Sequence, residues 1–87
     1  MTNTIPAPRL LGGKRRRRRW VAEILTADER LLRREYYTTA SAGAAARTFR
    51  DFWRYLAPSL PGADRVEIYA TPDGREPSGS PIVTMLL

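Results

Sequence analysis

From Trp20 onward the apolar and polar positions fall into four blocks of changing period. Trp20, Ala22 and Ile24 alternate with Val21, Glu23 and Leu25, which predicts a strand over residues 20–26. Ala27 to Arg30 is polar and short enough to turn. Leu32, Arg34, Tyr36 and Thr38 then alternate with Leu31, Arg33, Glu35 and Tyr37, so the two runs predict a β-hairpin. The period next changes to that of a helix. Ala42, Ala45, Ala46, Phe49, Phe52, Trp53 and Leu56 form one continuous stripe, Ser41 stands where an N-cap belongs, and Pro58 and Pro61-Gly62 end the run after Ala57. Asp64 to Ala70 alternates again. A Pro-, Gly- and Ser-rich loop from Thr71 to Pro81, with Asp73-Gly74 as a turn signal, leads to a last strand over Ile82 to Leu86.

The order predicts an α+β fold: a small two-layer ββαββ domain whose four-stranded sheet carries one helix on one face, preceded by a disordered basic arm. If strands two and three are parallel within the sheet, their connection is expected to be a right-handed crossover. The expected core joins Phe49, Phe52, Trp53 and Leu56 of the helix to Trp20, Ile24, Leu32, Tyr36, Val66, Ile68, Ile82 and Leu86 of the strands. That choice leaves Val21, Leu25, Leu31, Tyr37, Val83 and Met85 on the other sheet face, enough apolar surface to expect a second copy or a protein partner there. Leu10 and Leu11 folding back is the alternative cover.

Charge divides the chain more sharply than hydropathy does. The whole chain of 87 residues carries 15 basic and 9 acidic side chains, a net +6. Residues 1–19 hold Arg9, Lys14 and Arg15 to Arg19 with no acidic residue, so they carry +7 and residues 20–87 are left at −1. The chain is thus expected to be a flexible Arg-rich arm (1–19) on a near-neutral body (20–87), with residues 1 to about 17 disordered through self-repulsion and the breaks at Pro6, Pro8 and Gly12-Gly13. The arm lacks the apolar stretch of a secretory signal, since Glu23, Asp28 and Glu29 follow Trp20-Val21-Ala22 closely. A cytoplasmic protein that is not secreted is the expectation, with nucleoid association as one option, and arginine nearly without lysine suggests a GC-rich bacterial or phage gene.

The missing residue types exclude much chemistry. Without cysteine or histidine there is no disulfide, thiol nucleophile, Cys/His zinc site or histidine base. Asp64, Asp73 and Glu76 lack the spacing of a calcium loop. Leu11-Gly12-Gly13-Lys14 lacks the strand–loop–helix frame of a phosphate loop. No enzyme, cofactor or metal is expected. What remains is recognition. Lys14, Arg15, Arg16, Arg17, Arg18 and Arg19 would neutralise phosphates of DNA or RNA with little sequence specificity, each contact releasing condensed counterion. An anionic lipid surface, a protein surface and a solubility tail are the alternatives for the same run. Arg47, Arg50 and Arg54 share one helix face and extend the candidate surface, although Asp51 is placed to pair with Arg47 or Arg54. Tyr37 and Tyr69 are expected to point away from the helix, where they could stack bases or meet a partner.

A tryptophan opening a strand, a short turn, an arginine-rich second strand and an Ala-rich helix are loosely similar to the small sheet-plus-helix DNA-binding arms of phage integrases. The similarity covers residues 18–57, departs at the C-terminal hairpin and carries over no site residues. Two functions therefore compete. One is a non-enzymatic nucleic-acid-associated accessory protein gripping phosphates through its arm. The other is an antitoxin-like regulator or inhibitor docking a protein through its outer sheet face.

Overall fold

The alternating runs and the helical stripe become the elements they predict. The structure, a computed structural model, describes residues 17–87. Strands β1 (Arg18–Thr26) and β2 (Leu31–Thr39) precede helix α1 (Ala42–Leu56), which ends in one 3-10 turn (Ala57–Ser59), and strands β3 (Ala63–Ala70) and β4 (Ser78–Leu86) follow. The sheet order is β2-β1-β3-β4, with every neighbouring pair antiparallel. β2 and β3 both oppose β1, so they are parallel to each other, and α1 lies on the connection between them. No helix among the described residues is long and apolar enough to cross a membrane.

Helix α1 starts where the sequence provides a cap. Ser41 is extended, and its Oγ accepts a hydrogen bond from the Ala44 amide at 3.1 Å. The three small buried residues Ala42, Ala45 and Ala46 let the first half of the helix approach the sheet beside Trp20. Phe49, with no exposed surface, fills the centre against Ala22, Ile24, Val66 and Ile68. Phe49 also stacks on Trp53, with ring centroids 5.6 Å apart. β1 is central and buried on both faces, because Val21 and Leu25 are as enclosed as Ala22 and Ile24.

Two irregularities in the sheet correct the expected faces. In the first hairpin Ile24 pairs with Arg33 but Leu25 pairs with Leu31, so Leu32 is the extra residue of a bulge. A bulge reverses the phase of alternation beyond it. Leu32 still packs on the helix side, but Tyr37 now does so too, while Tyr36 turns to the helix-free face and is half exposed. In β4 the pairing jumps from Ile68–Val83 to Ala70–Ser78, with Gly79 at φ 70° inside the offset. Val83 and Met85 face the core, whereas Ile82 and Leu86 are exposed. The expected core positions Tyr36, Ile82 and Leu86 are therefore surface positions. Phe52 is also outside, 55% exposed, because it lies about 60° around the helix from Phe49 at the margin of the stripe.

The helix-free face is covered in part by the chain itself, while Leu31, as expected, and also Tyr36 and Ile82 stay exposed on it. The segment from Thr71 to Pro77 leaves β3 and reaches across to β2. There the Arg75 carbonyl accepts from the Tyr36 hydroxyl at 3.0 Å, and Glu76 lies 3.8 Å from Arg34. Asp73 shapes this strap by accepting the amides of Arg75 and Glu76 at 2.8 and 3.0 Å. Of the apolar residues assigned to this face, Val21 and Leu25 are buried within the chain itself. Tyr37, Val83 and Met85 belong to the other face.

Candidate nucleic-acid interface

Arginine is distributed over two environments with opposite electrostatics. Away from the start of β1, three sheet guanidiniums are neutralised. Arg34 pairs with Glu23 at 2.9 Å, Arg65 with Glu67 at 3.1 Å and with Glu29 at 3.8 Å, and Arg33 with Glu35. The arrangement answers a problem set by the strand register, which places Glu23 directly opposite Glu67. Two like charges in that position repel, and an arginine on each flank compensates them. Tyr69 completes the row, donating its hydroxyl to Glu67 at 2.9 Å.

The other environment begins at the end of the sheet where β1 starts and β3 finishes. Lys14, Arg15 and Arg16, and the disorder expected for the arm, lie outside the described residues. Arg17, Arg18 and Arg19 are exposed, and strand β1 already begins at Arg18, two residues before the expected start. Arg17 donates from Nη1 to the Thr38 carbonyl at 3.0 Å. Arg19 lies across Gly74, where a Cβ would stand 2.6 Å from its Nη1, and Gly74 itself has φ 76°. A cleft of about 420 Å³ opens between these three arginines and an apolar floor of Trp20, Ala70, Pro72 and Ile82. Trp20 anchors the floor, its Nε1 donating to the Thr39 carbonyl at 3.2 Å. A second hollow joins Arg17 to Thr39, Ala40 and Ala44 at the start of α1.

The helix supplies the second group of free cations. Arg47, Arg50 and Arg54 are exposed, and they span about 10 Å along the helix axis at 1.5 Å per residue. Among the described residues neither they nor Arg17 to Arg19 form an ion pair within 4.0 Å, and neither does Asp51. The expected neutralisation by Asp51 is thus absent there. Arg50 instead donates to the Met85 sulfur at 3.3 Å, and Arg54 lies 5.2 Å from the centre of the Tyr55 ring. Tyr55 and Phe52 stand together at the surface, 6.4 Å between centroids.

The two tyrosines singled out from the sequence have different fates. Tyr37 is turned inward by the bulge at Leu32 and packs against the core, so its expected outward position is corrected. Burial, reinforced by the Glu35 carboxylate, pushes its phenol up to about 12. Tyr69 does lie on the helix-free face. There burial, together with the hydrogen bond to Glu67 and its charge, raises its phenol to about 12 as well. Neither ring is a free stacking platform. Exposed aromatic and apolar groups beside free arginines include Phe52, Tyr55, Ile82 and Leu86; of these only Tyr55, as one of four tyrosines able to stack bases, carries a functional reading from the sequence. Phe52 was legible as a margin position of the stripe, and Ile82 from Thr84, whose polarity marks the outward phase of β4.

In comparison with known proteins, the chain matches no family model, no curated protein and no solved structure.

Proposed function

We propose that this is a small non-enzymatic nucleic-acid-associated accessory protein, gripping phosphates with its N-terminal arginine run and with the outward face of α1. One observation carries the proposal: most of the exposed arginines without an ion pair gather in two groups, with Arg30 and Arg75 standing apart in the loops. The sheet arginines Arg33, Arg34 and Arg65 are occupied by carboxylates, while Arg17 to Arg19 and Arg47, Arg50 and Arg54 are exposed without one. A guanidinium without a carboxylate partner keeps its charge uncompensated, and even Arg17 and Arg50, which donate to the Thr38 carbonyl and the Met85 sulfur, retain other N–H donors for phosphate. Lys14, Arg15 and Arg16 precede the first group directly in sequence and extend the same charge. A net charge near zero over residues 20–87 does not oppose this, since local unpaired charge, not the total, sets the number of counterions released on binding.

The test uses full-length variants and a labelled nucleic acid at low ionic strength. Replacing Lys14, Arg15 and Arg16 by glutamine, or Arg47, Arg50 and Arg54 by glutamine, should each weaken binding by about tenfold or more. Replacing Arg33 by glutamine should leave it nearly unchanged. If both triple variants bind like the parent chain, the proposed surface is wrong.

A further inference from the structure

The cleft at the end of the sheet has a construction that phosphate gripping alone does not require. Resting on the function proposed above, we infer that it holds one unstacked nucleotide, and that the protein therefore prefers single-stranded nucleic acid to duplex.

Three features of the cleft lead to this. First, its walls are of two kinds. Arg17, Arg18 and Arg19 supply guanidinium, and Trp20, Ala70, Pro72 and Ile82 supply apolar surface, within a volume of about 420 Å³. That lies in the range of sites for small ligands, roughly 300–1,000 Å³. A nucleotide is the ligand class that joins an anion to a flat apolar ring within such a space, and a base can stack on apolar side chains or on the plane of an arginine.

Second, an apolar side chain stands at the cleft where packing does not require it. Ile82 takes the outward phase of β4, 56% exposed, while Val83 and Met85 on the opposite phase do the packing.

Third, two of the arginines are held rather than free to sweep through solvent. Arg17 is tied to the Thr38 carbonyl and Arg19 is seated over Gly74 of the strap. Groups already placed lose less freedom on binding.

A paired base in a duplex offers the cleft only its edge, because both of its faces are covered by neighbours. It would have to leave the stack to enter. A base in a single strand meets no such barrier, so the cleft separates the two forms even though phosphate contacts do not.

Anisotropy titrations of the full chain with a labelled oligothymidylate, alone and annealed to its complement at the same salt, test the inference. The single strand should bind about tenfold more tightly than the duplex. Ile82→Ala should remove about that factor for the single strand and leave duplex affinity unchanged, while the triple Arg47, Arg50 and Arg54 variant should weaken both. Ile82 is exposed, so the variant should fold, which circular dichroism checks. Equal affinity for the two forms with no effect of Ile82→Ala would overturn the cleft while leaving nucleic-acid binding intact. A loss of thermal stability in Ile82→Ala with unchanged binding would show that Ile82 serves packing rather than a nucleotide and likewise overturn it. Absence of binding to either form would overturn the proposed function along with it.

Discussion

Glu67 accepts from two directions, taking the Arg65 Nε–H on one oxygen and the Tyr69 hydroxyl on the other, and it faces Glu23 across the strand pair. The row is stable only while the arginines stay. Arg34 is the sole ion-pair partner of Glu23 among the described residues, and the Glu23 side chain is 13% exposed. Arg34→Ala should therefore cost about 2 kcal/mol in denaturant unfolding, since it leaves a largely enclosed carboxylate beside Glu67. Arg33→Ala, at an exposed pair, should cost under about 1 kcal/mol. The two raised phenols give a second prediction at this scale. Tyr37 and Tyr69 each favour the neutral form in the folded state, with values of about 12 against an ordinary 10. Their contribution is fully present below pH 10 and disappears as pH rises toward 12. Stability should fall across that window, with a late tyrosinate absorbance step that Tyr69→Phe reduces. A step complete near pH 10 would refute the burial of both rings.

At the scale of elements, the helix separates packing from display within a few residues. Phe49→Ala should cost about 3–5 kcal/mol, because the ring is fully buried and its removal leaves a cavity between α1 and the sheet. Phe52→Ala, three residues later, should cost under about 1 kcal/mol by the same denaturation measurement. The strap from Thr71 to Pro77 has its own control. The Arg75 and Glu76 amides hold the Asp73 carboxyl below the usual carboxylate range, with Thr71 adding a weaker hydrogen bond. A carboxyl lowered in the folded state stabilises above its unfolded value of about 4, and that contribution is lost as pH falls through the folded value. Acid below pH 4 should therefore loosen the strap before the sheet, read as coincident shifts of the Arg75 and Glu76 amide signals in NMR. Unmoved amides down to pH 2 would contradict it. Element order and type were legible in the sequence because each block keeps one period for five or more residues. Which face each residue takes was legible in β1, β3 and most of the helix, where Phe49, Val66 and Ile68 are core as expected, but not in β2 beyond its bulge or in β4. Leu32 and Arg33 look like ordinary neighbours in an alternating run, and nothing in their identity announces that one of them is extra. Tyr36 and Tyr37, adjacent and chemically alike, then offer no preference between the two phases.

Across the whole molecule, the strap and the bulges cover the centre of a sheet that reads as half-naked, while Leu31, Tyr36, Ile82 and Leu86 stay exposed toward its margins. The charge that reads as an arm's property extends onto the body. The uneven placement of basic residues was visible in the sequence. So was the pairing of Arg33 and Arg34 with Glu35 and with Glu23 or Glu67 across strands, but the rest of the division between occupied and free arginines was not, because it depends on which carboxylates the register brings opposite. Glu23 and Glu67 are 44 positions apart and meet only through β1 and β3. Arg47 and Asp51 have favourable helical spacing, yet no ion pair forms between them among the described residues. The central claim is that the free arginines, rather than the net charge, bind nucleic acid. Its most direct measurement is the slope of log affinity against log salt for a single-stranded oligonucleotide. Each phosphate that is no longer neutralised should lower that slope by about 0.7. Removing Arg47, Arg50 and Arg54 together should reduce it by about 2, and removing Arg33 should leave it unchanged. A slope that falls with Arg33, or one that stays constant when the three helix arginines are removed, would contradict the account.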